Sequence, residues 1–352
     1  MRLIKKLSGF LAIISVFNVL SACDANVKAG SYNNIKEIKI GVTLYRQDDA
    51  FISLIAQNIQ EAAKEKEKEN EGKYKMSIDV LDAKGSSINQ NNQVDKFVAQ
   101  NYDVICVNLV DRTAASTIID KAKAANIPIV FFNREPVEED MERWNKLYYV
   151  GAKAEQSGEM QADIIINAYK ENSRNVDKNG DGKIQYVMLE GEPGHQDALI
   201  RTEYCIKTIT QSGIELEKLA DDTANWQNAQ ATTKMTQWIK NFGDKIEVVF
   251  SNNDDMALGA IYALDNANVK NRPLVVGVDG IPKALEAVKN GTMIGTIYND
   301  SKKQAEGIFN IAYTLATHGN INSVDGLEKG QYIRTSHTEV TSQNVDSFLE
   351  GK

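Results

Sequence analysis

The sequence predicts an α/β protein made of two doubly wound parallel-sheet lobes joined by a hinge. Apolar runs with strand character alternate with stretches of helical spacing, which is typical of βαβ units and a parallel sheet. The alternation begins near residue 38 and starts again near residue 148. The length of 352 residues also fits two domains, at roughly 150 residues each. Right-handed crossovers then place helices on both faces of each sheet.

The elements of the first lobe follow from the spacing of their apolar residues. The run from Ile38 to Leu44 is strand-like, and apolar residues then recur three or four positions apart from Ile52 to Ala63, as on one face of a helix. The predicted strands cover 38–44, 76–81, 104–107 and 128–132, and the predicted helices cover 51–66, 89–99 and 114–125.

The second lobe repeats the pattern after Tyr148. Its predicted strands cover 148–151, 185–190, 215–219, 247–251, 274–278 and 293–298, and its helices cover 158–169, 198–212, 228–241, 256–266 and 282–290. A last helix over 303–317 and a final strand over 330–334 complete the chain. The restart of the pattern indicates a crossing between lobes near residues 151–152.

The N-terminus is typical of an export leader. A basic start is followed by an apolar stretch and small residues, so residues 1–22 are predicted to be a lipoprotein signal peptide. The sequence Leu20-Ser21-Ala22-Cys23 matches a lipobox, in which Cys23 takes a diacylglycerol. A plain secretory signal with an incidental cysteine is the alternative. Residues 23–36 then form a polar tether. The protein is expected to work extracytoplasmically, anchored to the membrane, which excludes NTP-dependent enzymes and DNA-binding repressors.

Composition narrows the remaining classes. The formal net charge is −8, with 40 basic and 48 acidic residues, and an acidic chain without a basic stripe is a poor partner for nucleic acid. No apolar run beyond the leader is long enough for a membrane span, which needs about 20 residues. Three cysteines are too few for a disulfide framework. Cys106 and Cys205 are expected to be buried thiols.

Polar and aromatic side chains cluster directly after the predicted strands. Ligands of open parallel sheets bind beyond the carboxyl ends of the strands, so these residues are expected to meet in a cleft between the lobes. Carboxylates, a guanidinium and amides suit the hydroxyl rim of a sugar, and aromatic rings suit its C–H faces. The candidates for a monosaccharide site are Asp49, Phe51, Asn133, His195, Asp197, Arg201, Trp226, Asn253, Asp279 and Asn299.

Each candidate alone also has a structural explanation. An Asp or Asn after a strand is commonly a helix N-cap, and we expect that role of Asp48. Phe51 alone would be core packing, and His195 alone would be a structural donor. The prediction of a site depends on these residue types recurring at the same place in both lobes.

Eight motifs make the chain resemble the periplasmic pentose/hexose-binding family, the substrate receptors of ABC transporters, and especially its D-galactose/D-glucose-binding members. The similarity extends from about residue 38 to 334, and its motifs are GVTLYRQDDAF, VNLVDRTAA, VFFNREP, YYVG, GEPGHQDA, NNDDMALGA, VVGVDG and TIYND. The resemblance implies Rossmann-like lobes of the periplasmic binding protein type I fold. It also implies sugar-hydroxyl contacts for the polar candidates, with Phe51 and Trp226 sandwiching the ring.

The resemblance further implies a lobe division and partners. Residues 37–150 plus 300–334 would form the N-terminal lobe, and 151–299 plus 335–352 the C-terminal lobe. Two more crossings would lie near 299–300 and 334–335. The expected partners are D-galactose or D-glucose and an ABC transporter permease. The protein is expected to be a monomer and not an enzyme.

A polar loop over residues 177–185 resembles the first part of an EF-hand loop. Positions 1, 3, 5 and 9 carry oxygen side chains, position 7 offers a carbonyl, and position 6 is Gly182. Position 12 is Met188 instead of the usual Glu, so either the site is dead or a distant carboxylate completes it. The resemblance implies that Glu247 closes it. The predicted structural Ca²⁺ ligands are Asp177, Asn179, Asp181, Lys183, Gln185 and Glu247.

Two other functions remain open from the residues. A glycoside hydrolase would need two carboxylates flanking the bond, a role for which Asp49 and Asp279 are available. Against it, these carboxylates lie among many hydroxyl-binding partners, with no sign of an apolar pocket that raises a carboxyl pKa. A sensory lipoprotein that reports bound sugar to a chemoreceptor or sensor kinase would share both fold and site.

Overall fold

The computed structural model describes residues 36–71 and 73–350, so the leader, Cys23 and all but the last residue of the tether lie outside the described residues. Within them, two six-stranded sheets with flanking helices form two lobes, which confirms the predicted α/β class. None of the described helices combines the length and apolarity that a membrane span requires.

The first sheet has the order β2-β1-β3-β4-β5-β11, and all its strands are parallel. The short central strands VICV and IVFF are buried throughout, as the strands of a sheet covered on both faces should be. Its elements are β1 (Lys36–Leu44), α1 (Ala50–Glu69), β2 (Tyr74–Asp82), α2 (Ser87–Ala99), β3 (Val104–Val107), α3 (Ala115–Ala124), β4 (Ile129–Phe132), α4 (Glu138–Met141) and β5 (Leu147–Ala152), with α10 (Ser301–Ala316) and β11 (Tyr332–Thr335) from later in the chain.

The second sheet has the order β7-β6-β8-β9-β10-β12. Its elements are α5 (Ala154–Glu171), β6 (Lys183–Glu190), α6 (Gln196–Gln211), β7 (Glu215–Thr223), α7 (Asn228–Phe242), β8 (Val248–Ser251), α8 (Asp254–Asn266), β9 (Leu274–Asp279), α9 (Pro282–Lys289), β10 (Gly295–Asn299), β12 (His337–Thr341) and α11 (Val345–Glu350). The sheet is parallel except at one edge, where β12 pairs antiparallel with β10.

The chain passes between the sheets at three points, which place the strand ends of both lobes opposite each other. β5 of the first sheet is followed by α5 of the second lobe, β10 is followed by α10, which packs on α1, and β11 is followed by β12. The connecting residues are Lys153, Asp300 and Ser336.

Each sheet separates two apolar cores. In β3, Val104 and Cys106 belong to the core on one face, and Ile105 and Val107 belong to the core on the other. The side-chain alternation of a strand produces this division. The second sheet is packed in the same way, with Cys205 of α6 in one of its cores. Both cysteines are free and buried, as predicted.

Candidate functional site

A cavity lies between the lobes, at the carboxyl ends of their strands. Nine of the ten candidates line the cavity, and the residues that sequence reasoning did not place there are Tyr45, Ile52 and Arg134. Tyr45 and Arg134 could have been included, because each lies in a polar cluster that directly follows a strand.

Two aromatic side chains reach the cavity from opposite lobes. Phe51 comes from the first turn of α1 and also packs in the first core, so its structural explanation and its predicted site position hold together. Trp226 belongs to the second lobe and is only 8% exposed. Its backbone has φ 64°, a left-handed conformation that is uncommon for a bulky residue. A Cβ at Gly191 would lie 2.1 Å from the indole Cζ2, so this glycine makes room for the ring.

Arg201 is the buried cation of the site. Its Nη1 donates to the Asn252 carbonyl oxygen at 2.7 Å, which fixes the guanidinium. Asp279 Oδ1 lies 3.8 Å from Nη1, and Asp197 Oδ2 lies 3.7 Å from Nη2. Burial raises the pKa of both carboxyl groups and Arg201 opposes that rise. This effect of burial is not visible in the sequence, because it depends on how the lobes pack around the two carboxyl groups.

The turn that presents Asp279 is built on the fully buried Asp254. The Asp254 carboxylate accepts from the backbone N–H of Gly280 at 2.7 Å, from that of Ile281 at 3.0 Å and from the Thr296 hydroxyl at 2.6 Å. Burial raises the pKa of Asp254 to about 7. Asp279 itself has φ 122°, which these bonds help to hold. Sequence reasoning did not identify this support, although Asp254 is part of the NNDD motif.

The site amides turn their oxygens toward the protein. Asn253 is the N-cap of α8, where its Oδ1 accepts from the Met256 N–H at 3.0 Å. Asn133 Oδ1 accepts from Asn108 Nδ2 at 3.2 Å. Each amide nitrogen is then the atom that a ligand would meet, as a donor. Asn299 is buried at the end of β10, with Oδ1 accepting from Gln304 Nε2 at 2.6 Å, and does not line the cavity.

His195 is held as a neutral donor. It caps α6, and its Nδ1 accepts from the Asp197 N–H at 3.1 Å, so the ring proton resides on Nε2. Burial, followed by the nearby Arg134 and Arg201, lowers the pKa of His195 well below its ordinary value. The ring also meets Trp226 edge-on, with centroids 5.1 Å apart.

Asp49 combines helix capping with a place in the cavity. Its Oδ1 accepts from the Ile52 N–H at 3.0 Å, and its Oδ2 accepts from the Tyr45 hydroxyl at 2.5 Å. The expectation that Asp48 is the cap is therefore wrong. Asp48 instead pairs with Arg46 at 2.6 Å, because its side chain points to the exposed side of the turn.

The loop before β6 gathers the six predicted Ca²⁺ ligands. Glu247 accepts from the N–H groups of Lys178 and Gln185 at 2.6 and 2.9 Å, and Asp177 accepts from those of Gly180 and Gly182 at 2.6 and 3.0 Å. The Asp181 carboxylate accepts from the side-chain amides of Asn179 and Gln185, and the Asn179 amide also donates to Gln185 Oε1.

The chemistry of this loop fits a hard cation. Asp177 and Glu247 are buried, and among residues 36–71 and 73–350 neither forms an ion pair. Buried carboxylates are normally paired or bound to a metal. The described residues hold no group of three or more His, Cys, Asp or Glu placed for a metal. The donors of this loop, however, include two amides and a carbonyl, which are typical Ca²⁺ ligands.

Comparisons with known proteins agree with this architecture. Residues 40–320 match the family model described as a periplasmic binding protein domain. The D-galactose/methyl-galactoside binding periplasmic protein MglB of Haemophilus influenzae is 38% identical over 314 residues, covering 89% of this chain and 92% of that protein. A putative rhizopine-binding protein of Rhizobium meliloti is 32% identical over 282 residues, covering 79% and 84%.

Solved structures share the fold. An ABC transporter solute binding protein of Bacillus halodurans, with bound myo-inositol, has a TM-score of 0.73 and 28% identity, covering 91% of this chain and 99% of that one. The two lobes thus have the periplasmic binding protein type I fold.

Proposed function

This chain belongs to the periplasmic binding protein domain family, and we propose that it is an extracytoplasmic receptor for D-galactose, D-glucose or both that delivers sugar to an ABC transporter. One observation carries the proposal. One of the cavities between the lobes brings together aromatic faces from both sides and ionic and amide groups around them. The 38% identity to a protein named for galactose and methyl-galactoside binding supports this choice of sugar.

The donors and acceptors of the cavity match the rim of a pyranose. Asn133, Asn253 and His195 offer N–H groups, and Arg201 offers a fixed guanidinium. The carboxylates of the cavity accept from sugar hydroxyls, as charge-assisted bonds that are stronger than neutral ones. Each sugar hydroxyl both donates and accepts, so a mixed rim of this kind binds polyols and rejects apolar molecules.

The ring of the sugar would lie between Phe51 and Trp226. Closure of the lobes on the sugar removes both aromatic faces from water, and the three connections between the sheets permit a hinge. The closed form is the state that a permease would recognise. We also propose that the acyl chains on Cys23 anchor the receptor, since buried CH₂ groups each contribute about 0.8 kcal/mol to membrane attachment.

The Ca²⁺ site would have a structural role. Asp177, Asn179, Asp181, Gln185 and Glu247 would hold the ion with side-chain oxygens, and Lys183 with its carbonyl. A bound cation would neutralise the buried carboxylates of Asp177 and Glu247, and would thereby connect the loop before β6 to the residue that precedes β8. The loop shares no residue with the lining of the sugar cavity.

Isothermal titration with a panel of hexoses and pentoses tests the sugar proposal. We expect heat of binding for galactose or glucose at micromolar or lower sugar concentration, and its near loss in Trp226→Ala with the fold intact by circular dichroism. No binding of either sugar would contradict the proposal. Incubation with nitrophenyl galactoside and glucoside tests the hydrolase alternative, in which release of nitrophenol would replace the receptor proposal.

A further inference from the structure

An ion pair crosses the cleft beside the sugar cavity. Arg134 directly follows Asn133 at the end of β4 in the first lobe, and Glu192 follows β6 in the second. Arg134 Nη2 and Glu192 Oε2 are 2.8 Å apart, and the two side chains are 6% and 26% exposed. Since the partners belong to different lobes, opening of the cleft would separate them.

Contacts within the first lobe alone hold the Arg134 side chain in place. The Arg134 guanidinium lies 3.6 Å from the centroid of the Tyr45 ring, and its Nη1 donates to the Val110 carbonyl oxygen at 2.9 Å. All three residues belong to the first lobe. Little side-chain entropy is therefore lost when the pair forms, in contrast to a pair of long, exposed side chains.

The second-lobe partner is tied to the sugar site. The Glu192 carbonyl oxygen accepts from the His195 N–H at 3.1 Å. The neighbouring Gly191 makes room for Trp226. Closing the pair thus brings a loop into place that carries part of the cavity wall.

The neighbouring Glu135 has its partners within the first lobe, and Asp197 of the second lobe pairs with Arg201 of the same lobe. Glu135 forms a bidentate pair with Arg334, at 2.6 and 2.7 Å, and its carbonyl oxygen accepts from Arg112 Nε. Among the ion pairs of the described residues, Arg134 is the partner recorded for Glu192. Loss of Glu192 therefore removes this cross-cleft attraction without freeing another acid to replace it.

We propose that Arg134 and Glu192 form a clasp, an ion pair that favours the closed cleft for every ligand alike and so sets affinity without setting specificity. The inference rests on the proposed sugar-receptor function. The apparent affinity of a receptor scales with the fraction of molecules in the binding-competent state. A pair that biases closure therefore multiplies the affinity for each sugar by the same factor.

The size of the factor follows from the partial burial of the pair. Exposed pairs reach the upper end of their range at a factor of about five, and buried, fixed pairs across interfaces exceed it. We expect Glu192→Ala to weaken the binding of each sugar by about five- to tenfold, mainly through faster release. Glu192→Gln keeps a neutral acceptor for Arg134 and should lose less.

The test measures Kd by titration for galactose, glucose and one weaker sugar, in wild type, Glu192→Ala and Glu192→Gln. Asp120→Asn is the matched control, because Asp120 pairs with Arg143 at 2.8 Å on the exposed surface of the first lobe. An equal loss for all sugars, absent from the control, supports the clasp. Unchanged affinity overturns it, and a loss confined to one sugar also overturns it, since Glu192 would then contact that sugar.

Small-angle scattering without sugar separates the clasp from the function. Glu192→Ala should have a larger radius of gyration than wild type, and Asp120→Asn should not. An unchanged radius overturns the clasp. If wild type binds no sugar in the panel, the proposed function fails, and the scattering comparison still decides the clasp.

Discussion

Gly191→Ala should displace Trp226 without touching any polar group of the site. The added Cβ would lie 2.1, 2.2 and 2.4 Å from three atoms of the indole ring. Ordinary contact begins at 3.4 Å, so the ring must move by about 1.3 Å. Gly191 has no left-handed φ, which means that alanine fits its backbone. Its N–H donates to Asn252 Oδ1 at 3.1 Å, which keeps the loop from yielding instead.

The expected loss of affinity follows from the displacement. A misplacement of about 1 Å in a preorganised site costs up to about 10²-fold, and burying a large apolar side chain contributes about 1.5–3 kcal/mol. We therefore expect Gly191→Ala to weaken galactose or glucose binding by about 10- to 100-fold. Trp226→Ala should cost at least as much. In the double variant the small side chain leaves the space empty, so Gly191→Ala should add no further loss.

Titration calorimetry on wild type, both single variants and the double variant completes the cycle. Thermal melts followed by circular dichroism establish that each protein is folded. Unchanged affinity in Gly191→Ala would show that the indole does not contact the sugar. Additive losses would show that Gly191 acts by a route other than Trp226. Either result would refute the reasoning.

Three further predictions address stability. Removal of metal with EDTA should lower the melting temperature while sugar affinity changes much less, and an unchanged melting temperature would remove the calcium assignment. Burial lowers the pKa of His337 to about 3, so between about pH 6.5 and 3 the unfolded chain binds a proton that the native protein does not. The free energy of unfolding should therefore fall as the pH falls, with His337 contributing about 1.4 kcal/mol per pH unit. Urea melts at several pH values should show that the free energy of unfolding of His337→Gln depends less steeply on pH than that of wild type. His318→Gln, at an exposed position, should not change this dependence. Cys106 and Cys205 should react with a thiol reagent only in denaturant, since both are buried; reaction in the native protein would contradict their place in the cores.

Most of the fold could be predicted because apolar periodicity is strong in the central strands. β3 and β4 are wholly apolar and buried, and their predicted bounds differ from the observed ones by at most one residue. The edge strand β12, HTEVT, was not predicted, because polar and apolar residues alternate in it and its antiparallel partner is distant in sequence. The short helix α11 lacks enough turns for a periodic signal.

The candidate site could be predicted where polar or aromatic side chains follow a strand directly. Nine residues chosen on that basis line one cavity. The supports behind them could not be predicted, because they depend on contacts between distant segments. Asp254 reaches the turn after β9, Gly191 faces Trp226, and Arg134 meets Glu192 across the cleft. Asn299 also follows a strand directly but does not line the cavity, since Gln304 of α10 donates to its amide oxygen.

A crystal structure of the complex with D-galactose or D-glucose would test the proposed mode of sugar binding most directly. We expect a pyranose between the lobes, with the Phe51 and Trp226 rings on opposite faces and Arg201 and Asp279 within hydrogen-bond distance of its hydroxyls. Sugar bound elsewhere, or aromatic rings turned away from a shared crevice, would contradict the account.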